Sequence, residues 1–275
     1  MLVLCVDWGG GLMAEPNPEE LVGLGVQSYD KQDFSKAKKY FERACGLNNG
    51  RGCNDLGVLY KDGQGVEKDL IKASQYFSKA CELNNGWGCN NLGDLYQNGE
   101  GVEKDLIKVA YFYTKACESN NSSGCSGLGF LYGSGEGVEK NLIKAAYFYS
   151  KACDLNNGGG CGNLGVLYQN GQGVEKDLTK AAYFYSKACD LKDGGGCGNL
   201  GVLYEKGEVV EKDLTKAAYF YSKACELKES FGCGALAVLY INGQGVEKNL
   251  TKADQYISKA CKLGDQEACE ALKEK

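Results

Sequence analysis

Gly52-Cys53-Asn54-Asp55-Leu56-Gly57-Val58-Leu59-Tyr60, then Lys61 to Asp69, then Leu70 to Asn84, is the stretch that decides the fold, because its pattern returns every 36 residues. Leu56, Leu59 and Tyr60 share one face at i, i+3, i+4, so the first half reads as a helix. Gly63 supplies a left-handed position to end it. In the second half Ala73, Phe77, Ala80 and Cys81 recur at helical spacing, and Asp69 stands where a cap would open that helix. A fixed period of this size marks a stacked repeat, whose units bury their apolar faces only against neighbours. Function is therefore sought on a surface of one elongated array.

The cysteines carry the same period. Fourteen of the fifteen form seven pairs with seven residues between partners: Cys45/Cys53, Cys81/Cys89, Cys117/Cys125, Cys153/Cys161, Cys189/Cys197, Cys225/Cys233 and Cys261/Cys269. Zinc motifs place fewer residues between ligands, so the pairs read as disulfides, which persist in a periplasm or outside the cell. Along one continuous helix the two alpha carbons would lie about 12 Å apart, beyond the roughly 7 Å limit of a bridge. The helix must break between them. Asn48-Asn49-Gly50, Asn84-Asn85-Gly86 and Asn156-Asn157-Gly158 supply the break, since Asn and Gly tolerate positive φ. Each bridge then staples the second helix of one unit to the first helix of the next, contributing roughly 2.5 kcal/mol on a chain-entropy estimate.

Composition narrows the chemistry. The chain has no histidine, which removes Ser-His-Asp and Cys-His catalysis and imidazole zinc sites. No metal and no cofactor is expected. A net charge of −5, with lysines interleaved among acids, argues against a nucleic-acid partner. The 18 tyrosines against nine phenylalanines suggest rings packed on the body with hydroxyls reaching water. No apolar stretch approaches the roughly 20 residues of a membrane span. Met1 to Ala14 lacks Lys and Arg, and its apolar run ends at Asp7, so it reads as a truncated leader rather than a full export signal. Cys5 stands outside the lattice, and bulky Leu4 before it disfavours a lipid anchor.

Leu56-Gly57-x-x-Tyr60 and Ala73-x3-Phe77-x2-Ala80 look like the tetratricopeptide helix pair, with a connection four residues longer, as in Sel-one-like repeats. The recurrent Gly-x-Gly-Val-Glu-Lys-Asp/Asn loop, at Gly63 to Asp69, Gly135 to Asn141 and Gly243 to Asn249, is typical of the latter. With a cysteine pair in every unit, residues 15–275 resemble the Helicobacter cysteine-rich protein family. The expected fold class is all-α, a right-handed alpha-alpha superhelix of tetratricopeptide-like helix pairs stapled by disulfides. Leu24-Gly25 and Ala37-x3-Phe41-x2-Ala44 keep the shorter connection. Residues 15–50 are thus an N-terminal tetratricopeptide-like repeat, 51–262 six Sel-one-like repeats, and 263–275 a capping helix.

The resemblance implies penicillin binding and slow hydrolysis of beta-lactams. Serine beta-lactamases use Ser-x-x-Lys together with Ser-Asp-Asn and Lys-Thr-Gly elements. Ser28-Tyr-Asp-Lys31 and Ser35-Lys-Ala-Lys38 match the first, neither other element occurs, and chance alone predicts about 1.5 matches. The catalytic residues therefore stay unknown. Gly160-Cys-Gly162-Asn-Leu-Gly165 and Gly196-Cys-Gly198-Asn-Leu-Gly201 satisfy a dinucleotide pattern but follow helices, whereas that motif needs a preceding strand. The Gly171 to Asp177 loop lacks the alternating acids of a calcium site.

Comparison between units points to binding. Leu56, Gly57, Leu59 and Tyr60 hardly vary across units, as packing demands, while residues beside them do. Asp55 corresponds to Asn91, Gly127, Asn163, Asn199 and Ala235; Val58 to Asp94, Phe130, Val166, Val202 and Val238; Lys61 to Gln97, Gly133, Gln169, Glu205 and Ile241. In tetratricopeptide-like arrays the first helices line a concave groove, where an Asn amide can donate to and accept from an extended peptide backbone. Asn91, Asn163, Asn199, Asp55 and Asp94 are the expected peptide-binding residues. The expected protein is a secreted or periplasmic monomer that recognises proteins or peptides. A beta-lactam or a peptidoglycan-derived small molecule is the alternative ligand.

Overall fold

The computed structural model describes residues 17–208 and 211–273. Among them are fifteen helices and no strand. The first compact unit, ending at Gly88, holds α1 (Pro18–Asp30), α2 (Phe34–Gly46), α3 (Gly50–Asp62) and α4 (Leu70–Glu82). The boundary falls inside α5 (Gly86–Asn98). The second unit continues through α6 (Leu106–Glu118), α7 (Ser122–Ser134), α8 (Leu142–Asp154), α9 (Gly158–Asn170), α10 (Leu178–Asp190), α11 (Gly194–Lys206), α12 (Leu214–Glu226), α13 (Ser230–Asn242), α14 (Leu250–Lys262) and α15 (Gln266–Lys273). The fold class is the expected alpha-alpha solenoid of repeated helix pairs. No described helix is long and apolar enough to cross a membrane. Met1 to Ala14, including Cys5, lies outside the described residues.

Each element starts and stops for a local reason. Asp69, Asp105, Asn141, Asp177, Asp213 and Asn249 open the even-numbered helices by accepting a hydrogen bond from the backbone N–H three residues on. Asn49, Asn121, Asn157 and Asp193 do the same for odd-numbered helices. Gly63, Gly135, Gly171, Gly207 and Gly243 end the odd helices in the left-handed conformation. The Asn-Asn-Gly breaks divide their labour more sharply than expected. The first Asn takes the positive φ, 59° at Asn48 and 60° at Asn156, while Gly50 and Gly158 open helices in ordinary helical backbone. At the later junctions Lys192 and Lys228 carry that φ. Between α1 and α2 the connection is only Lys31 to Asp33, against seven residues, Gly63 to Asp69, between α3 and α4.

The core repeats one contact. The ring of each even helix lies on a glycine of the odd helix before it: Phe41 on Gly25, Phe77 on Gly57, Tyr113 on Gly93, Tyr149 on Gly129, Tyr185 on Gly165 and Tyr221 on Gly201. A β-carbon at any of these glycines would come within 2.3 to 2.7 Å of the ring. Where Ile257 replaces the ring, Ala237 replaces the glycine. A second aromatic layer stacks Tyr96 on Phe112, Tyr132 on Phe148, Tyr168 on Phe184 and Tyr204 on Phe220, with centroids 5.5 to 5.6 Å apart. Six of the expected bridges are present among the described contacts, Cys45–Cys53, Cys117–Cys125, Cys153–Cys161, Cys189–Cys197, Cys225–Cys233 and Cys261–Cys269, with alpha carbons 4.5 to 4.6 Å apart. The remaining pair, Cys81 and Cys89, has one member in each unit. Such bridges persist in oxidising compartments outside the cytosol and are rare within it.

Candidate binding face of the odd-numbered helices

In the second unit the leucines of α5, α7, α9, α11 and α13 point inward, which leaves three rows of intervening residues on the other side of each helix. The buried rings reach these rows with their hydroxyls. Tyr113 Oη lies 2.6 Å from Asp94 Oδ1 and 2.7 Å from the Gln97 side-chain amide. A phenol has one proton, so Tyr113 donates either to the Asp94 carboxylate or to Gln97 Oε1 and not to both at once. Tyr185 donates to Gln169 Oε1 and Tyr221 to Glu205 Oε2, each at 2.5 Å. Burial pushes the Tyr185 hydroxyl up to about 12. For Tyr113 and Tyr221 burial acts first and the partner carboxylate second, raising both hydroxyls well above the usual phenol range. These hydroxyls end on side chains, whereas the rings of Tyr111, Tyr147, Tyr183 and Tyr219 stand more than half exposed.

Helix α7 breaks the pattern. It carries Gly127, Phe130 and Gly133 where α9 carries Asn163, Val166 and Gln169. Phe130 is 47% exposed. Around it opens a cleft of about 340 Å³ lined by Gln97, Tyr113, Ser123, Ser126, Gly127, Phe130, Asn157 and Asn163. Gly133 supplies no acceptor, and Tyr149 has no side-chain hydrogen bond of the kind that Tyr113, Tyr185 and Tyr221 make.

The expected peptide-binding residues are distributed unevenly over this frame. Asn163 is exposed and lines the α7 cleft. Asn199 holds the next place in the same row, half-buried on α11. Asn91 and Asp94 are half-buried on α5. Both Asp94 carboxylate oxygens already accept, one from Tyr113 and one from Asn90 Nδ2 at 3.0 Å. Asp55 belongs to the first unit. There it lines a cavity of about 190 Å³ with Val26, Tyr29, Phe41, Arg51 and Val58, accepts from Asn54 Nδ2 at 3.0 Å and pairs with Arg51 at 3.7 Å. Burial raises its carboxyl above the usual range. Gln97, Tyr113, Ser126 and Phe130 are cleft residues that were not among the expected ones. For Ser126 and Phe130 the sequence signal is the departure of α7 from the unit pattern, whereas Gln97 on α5 and Tyr113 on α6 carry no such signal.

The two serine–lysine matches are not built as nucleophile and base. Ser28 is buried, 6% exposed, and donates to the Leu24 carbonyl at 2.8 Å. Lys38 pairs with Glu42 at 3.1 Å, and that hydrogen bond raises its ammonium pKa, the opposite of what a general base needs. Among the described residues no three His, Cys, Asp or Glu side chains converge as a metal site.

The Sel1 repeat model matches seven times, at residues 22–49, 50–85, 88–121, 122–157, 160–193, 196–229 and 230–265. The chain belongs to the Sel1 repeat family. A Sel1 repeat protein from Oxalobacter formigenes has 29% identity and a TM-score of 0.82, covering 90% of this chain and 99% of that one. The c5321 protein, a protective antigen present in uropathogenic Escherichia coli strains displaying an SLR fold, is 30% identical with a TM-score of 0.77, over 91% of this chain and 55% of its own. Among curated Sel1 repeat relatives, Beta-lactamase HcpA of Helicobacter pylori is 58% identical over 59 residues, 22% of this chain and 24% of HcpA. The matched stretch spans at most about a quarter of the length of the curated relatives. The first Sel1 repeat match includes the α1–α2 pair despite its short connection.

Proposed function

We propose that this Sel1 array is a secreted or periplasmic scaffold that recognises extended segments of partner proteins along the outward rows of its odd-numbered helices. The observation that carries the reading is the contrast between two sets of positions on the same helices. The leucines, glycines and tyrosines that pack are held nearly constant, while the outward rows change from unit to unit and offer neutral amides, Asn163 in the α7 cleft and Asn199 at the next place of the same row. Neutral amides both donate and accept, so they pair with a peptide backbone without paying the desolvation of a charge. The division into a variant first pair at residues 15–50, six full units at 51–262 and a closing helix at 263–275 belongs to the same reading, with the terminal pieces shielding the ends of the stack.

A second reading takes its support from the name of HcpA, a beta-lactamase. The cleft holds Ser123 and Ser126 but no lysine or carboxylate among its lining groups to serve as base. Two assays on oxidised protein separate the readings. Peptide-array binding that falls about tenfold on Asn163→Ala with Asn199→Ala, the effect of lost anchor contacts, supports recognition. Binding that is absent, or indifferent to those changes, contradicts it. Nitrocefin turnover above that of a reduced control supports the beta-lactam reading.

A further inference from the structure

We infer that the α7 cleft is the specificity pocket of this face, and that it takes an aromatic side chain of the bound peptide, laid against Phe130 with its backbone running past Asn163. The inference rests on the peptide-recognition reading and adds a residue class to it. Three features of α7 converge. Phe130 stands half-exposed in the cleft, with the Tyr113 ring lying over Gly127 on one side of it and no side chain at Gly133 on the other. The equivalent positions of α9 and α11 are filled by Asn163 and Asn199, and by Gln169 and Glu205. The cleft walls are uncharged throughout, Gln97, Tyr113, Ser126, Gly127, Phe130 and Asn163, in a chain of which 24% is charged. An uncharged lining with a half-exposed ring favours a neutral aromatic group over an ammonium, because the carboxylate behind the wall, Asp94, already accepts with both oxygens, from Tyr113 and Asn90.

The backbone beside that group also finds partners. Asn163 is exposed and can exchange a donor and an acceptor with one peptide unit. Tyr149 is the ring whose hydroxyl acceptor row is interrupted by Gly133, and it is 7% exposed. A peptide carbonyl entering over Gly133 accepts from it, in the role that Gln169 plays for Tyr185.

Two substitutions test this without endangering the fold. Phe130→Val installs the residue found at the same register in Val58, Val166, Val202 and Val238. Gly133→Gln restores the residue of Gln97 and Gln169, and a β-carbon there meets only Ala145 Cβ at 3.8 Å. Replacing a mid-helix glycine with a good helix former also keeps or raises the melting temperature, so lost binding is not lost structure. The probe is a set of nonapeptide pools with uncharged flanking residues and the central residue fixed as Phe, Tyr, Leu, Lys or Asp, measured against full-length oxidised protein. Preferential retention of the Phe and Tyr pools is expected, falling about tenfold in each variant as for loss of one anchor side chain, with the other pools unchanged. Retention of peptides without an aromatic preference, or a preference that survives Phe130→Val, overturns the pocket and leaves the recognition face standing. Failure of every pool to bind the wild type overturns both.

Discussion

Gly165 and Tyr185 form a matched pair in which each residue is what the other permits. A β-carbon on Gly165 would lie 2.7 Å from the Tyr185 ring and 3.3 Å from the Ala181 carbonyl. Gly165→Ala should therefore destabilise the protein by about 1–3 kcal/mol through overpacking. Combined with Tyr185→Ile, which copies the natural Ala237 and Ile257 combination, the loss should be less than the sum of the two single losses, a coupling readable by urea denaturation. Strict additivity would show that the pair does not interact. The tyrosine hydroxyl adds a pH signature. The folded value of Tyr185, about 12, lies above its unfolded value near 10. The neutral phenol is favoured in the fold, so its stabilisation is full below pH 10 and is lost as pH rises from 10 to 12. Stability measured between pH 9 and 11 should fall more steeply for the wild type than for Tyr185→Phe. At this scale the sequence displayed the glycine and the ring as separate periodic positions. Their contact, and the hydroxyls meeting Asp94, Gln97, Gln169 and Glu205, depend on the register of one helix against the next, which no spacing within a helix specifies.

At the scale of elements, the caps were the most legible feature, because a cap acts within three residues of chain. Asp69 and Gly63 bound their helices as their positions suggested. The exception is informative. Glu229 precedes α13 where Asn49, Asn121, Asn157 and Asp193 cap their helices, and it makes no side-chain cap hydrogen bond. Its extra methylene puts the carboxylate out of reach of the Gly232 N–H. Glu229→Asn should stabilise the protein by about 1 kcal/mol, seen as a higher midpoint in urea; an unchanged midpoint would mean that water already satisfies that end. The reverse holds in the loops. Gly173 sits at φ 71° with a prospective β-carbon 2.2 Å from the Leu142 carbonyl oxygen, so Gly173→Ala should lower the melting temperature markedly. The Asn-Asn-Gly triplets mark the breaks in the sequence itself, but which residue takes the positive φ depends on where the flanking helices end.

Across the whole molecule the disulfides are the fold's mechanical frame, and they are unequal. In the second unit the cysteines from Cys117 to Cys233 are no more than 5% exposed, whereas Cys261 and Cys269 are half-buried and α15 has no buried residue. Thiol–disulfide exchange needs access to sulfur. Stepwise addition of dithiothreitol with differential alkylation and mass spectrometry should therefore show Cys261–Cys269 opening first; simultaneous opening of all bridges would contradict this ranking. The repeat and the cysteine lattice were legible because periodicity survives without coordinates. The α7 cleft was not, since it depends on Gln97, Tyr113 and Asn163 of neighbouring helices meeting beside the half-exposed Phe130. The claim that function lies on the odd-helix face meets its most direct rival in the exposed Tyr111, Tyr147, Tyr183 and Tyr219 on the even helices. A retained peptide carrying benzoylphenylalanine at its aromatic position, photo-crosslinked to the oxidised protein and mapped by mass spectrometry, decides between them. Adducts on α7 and α9 around Phe130 and Asn163 are expected. Adducts confined to the even-helix tyrosines would contradict it.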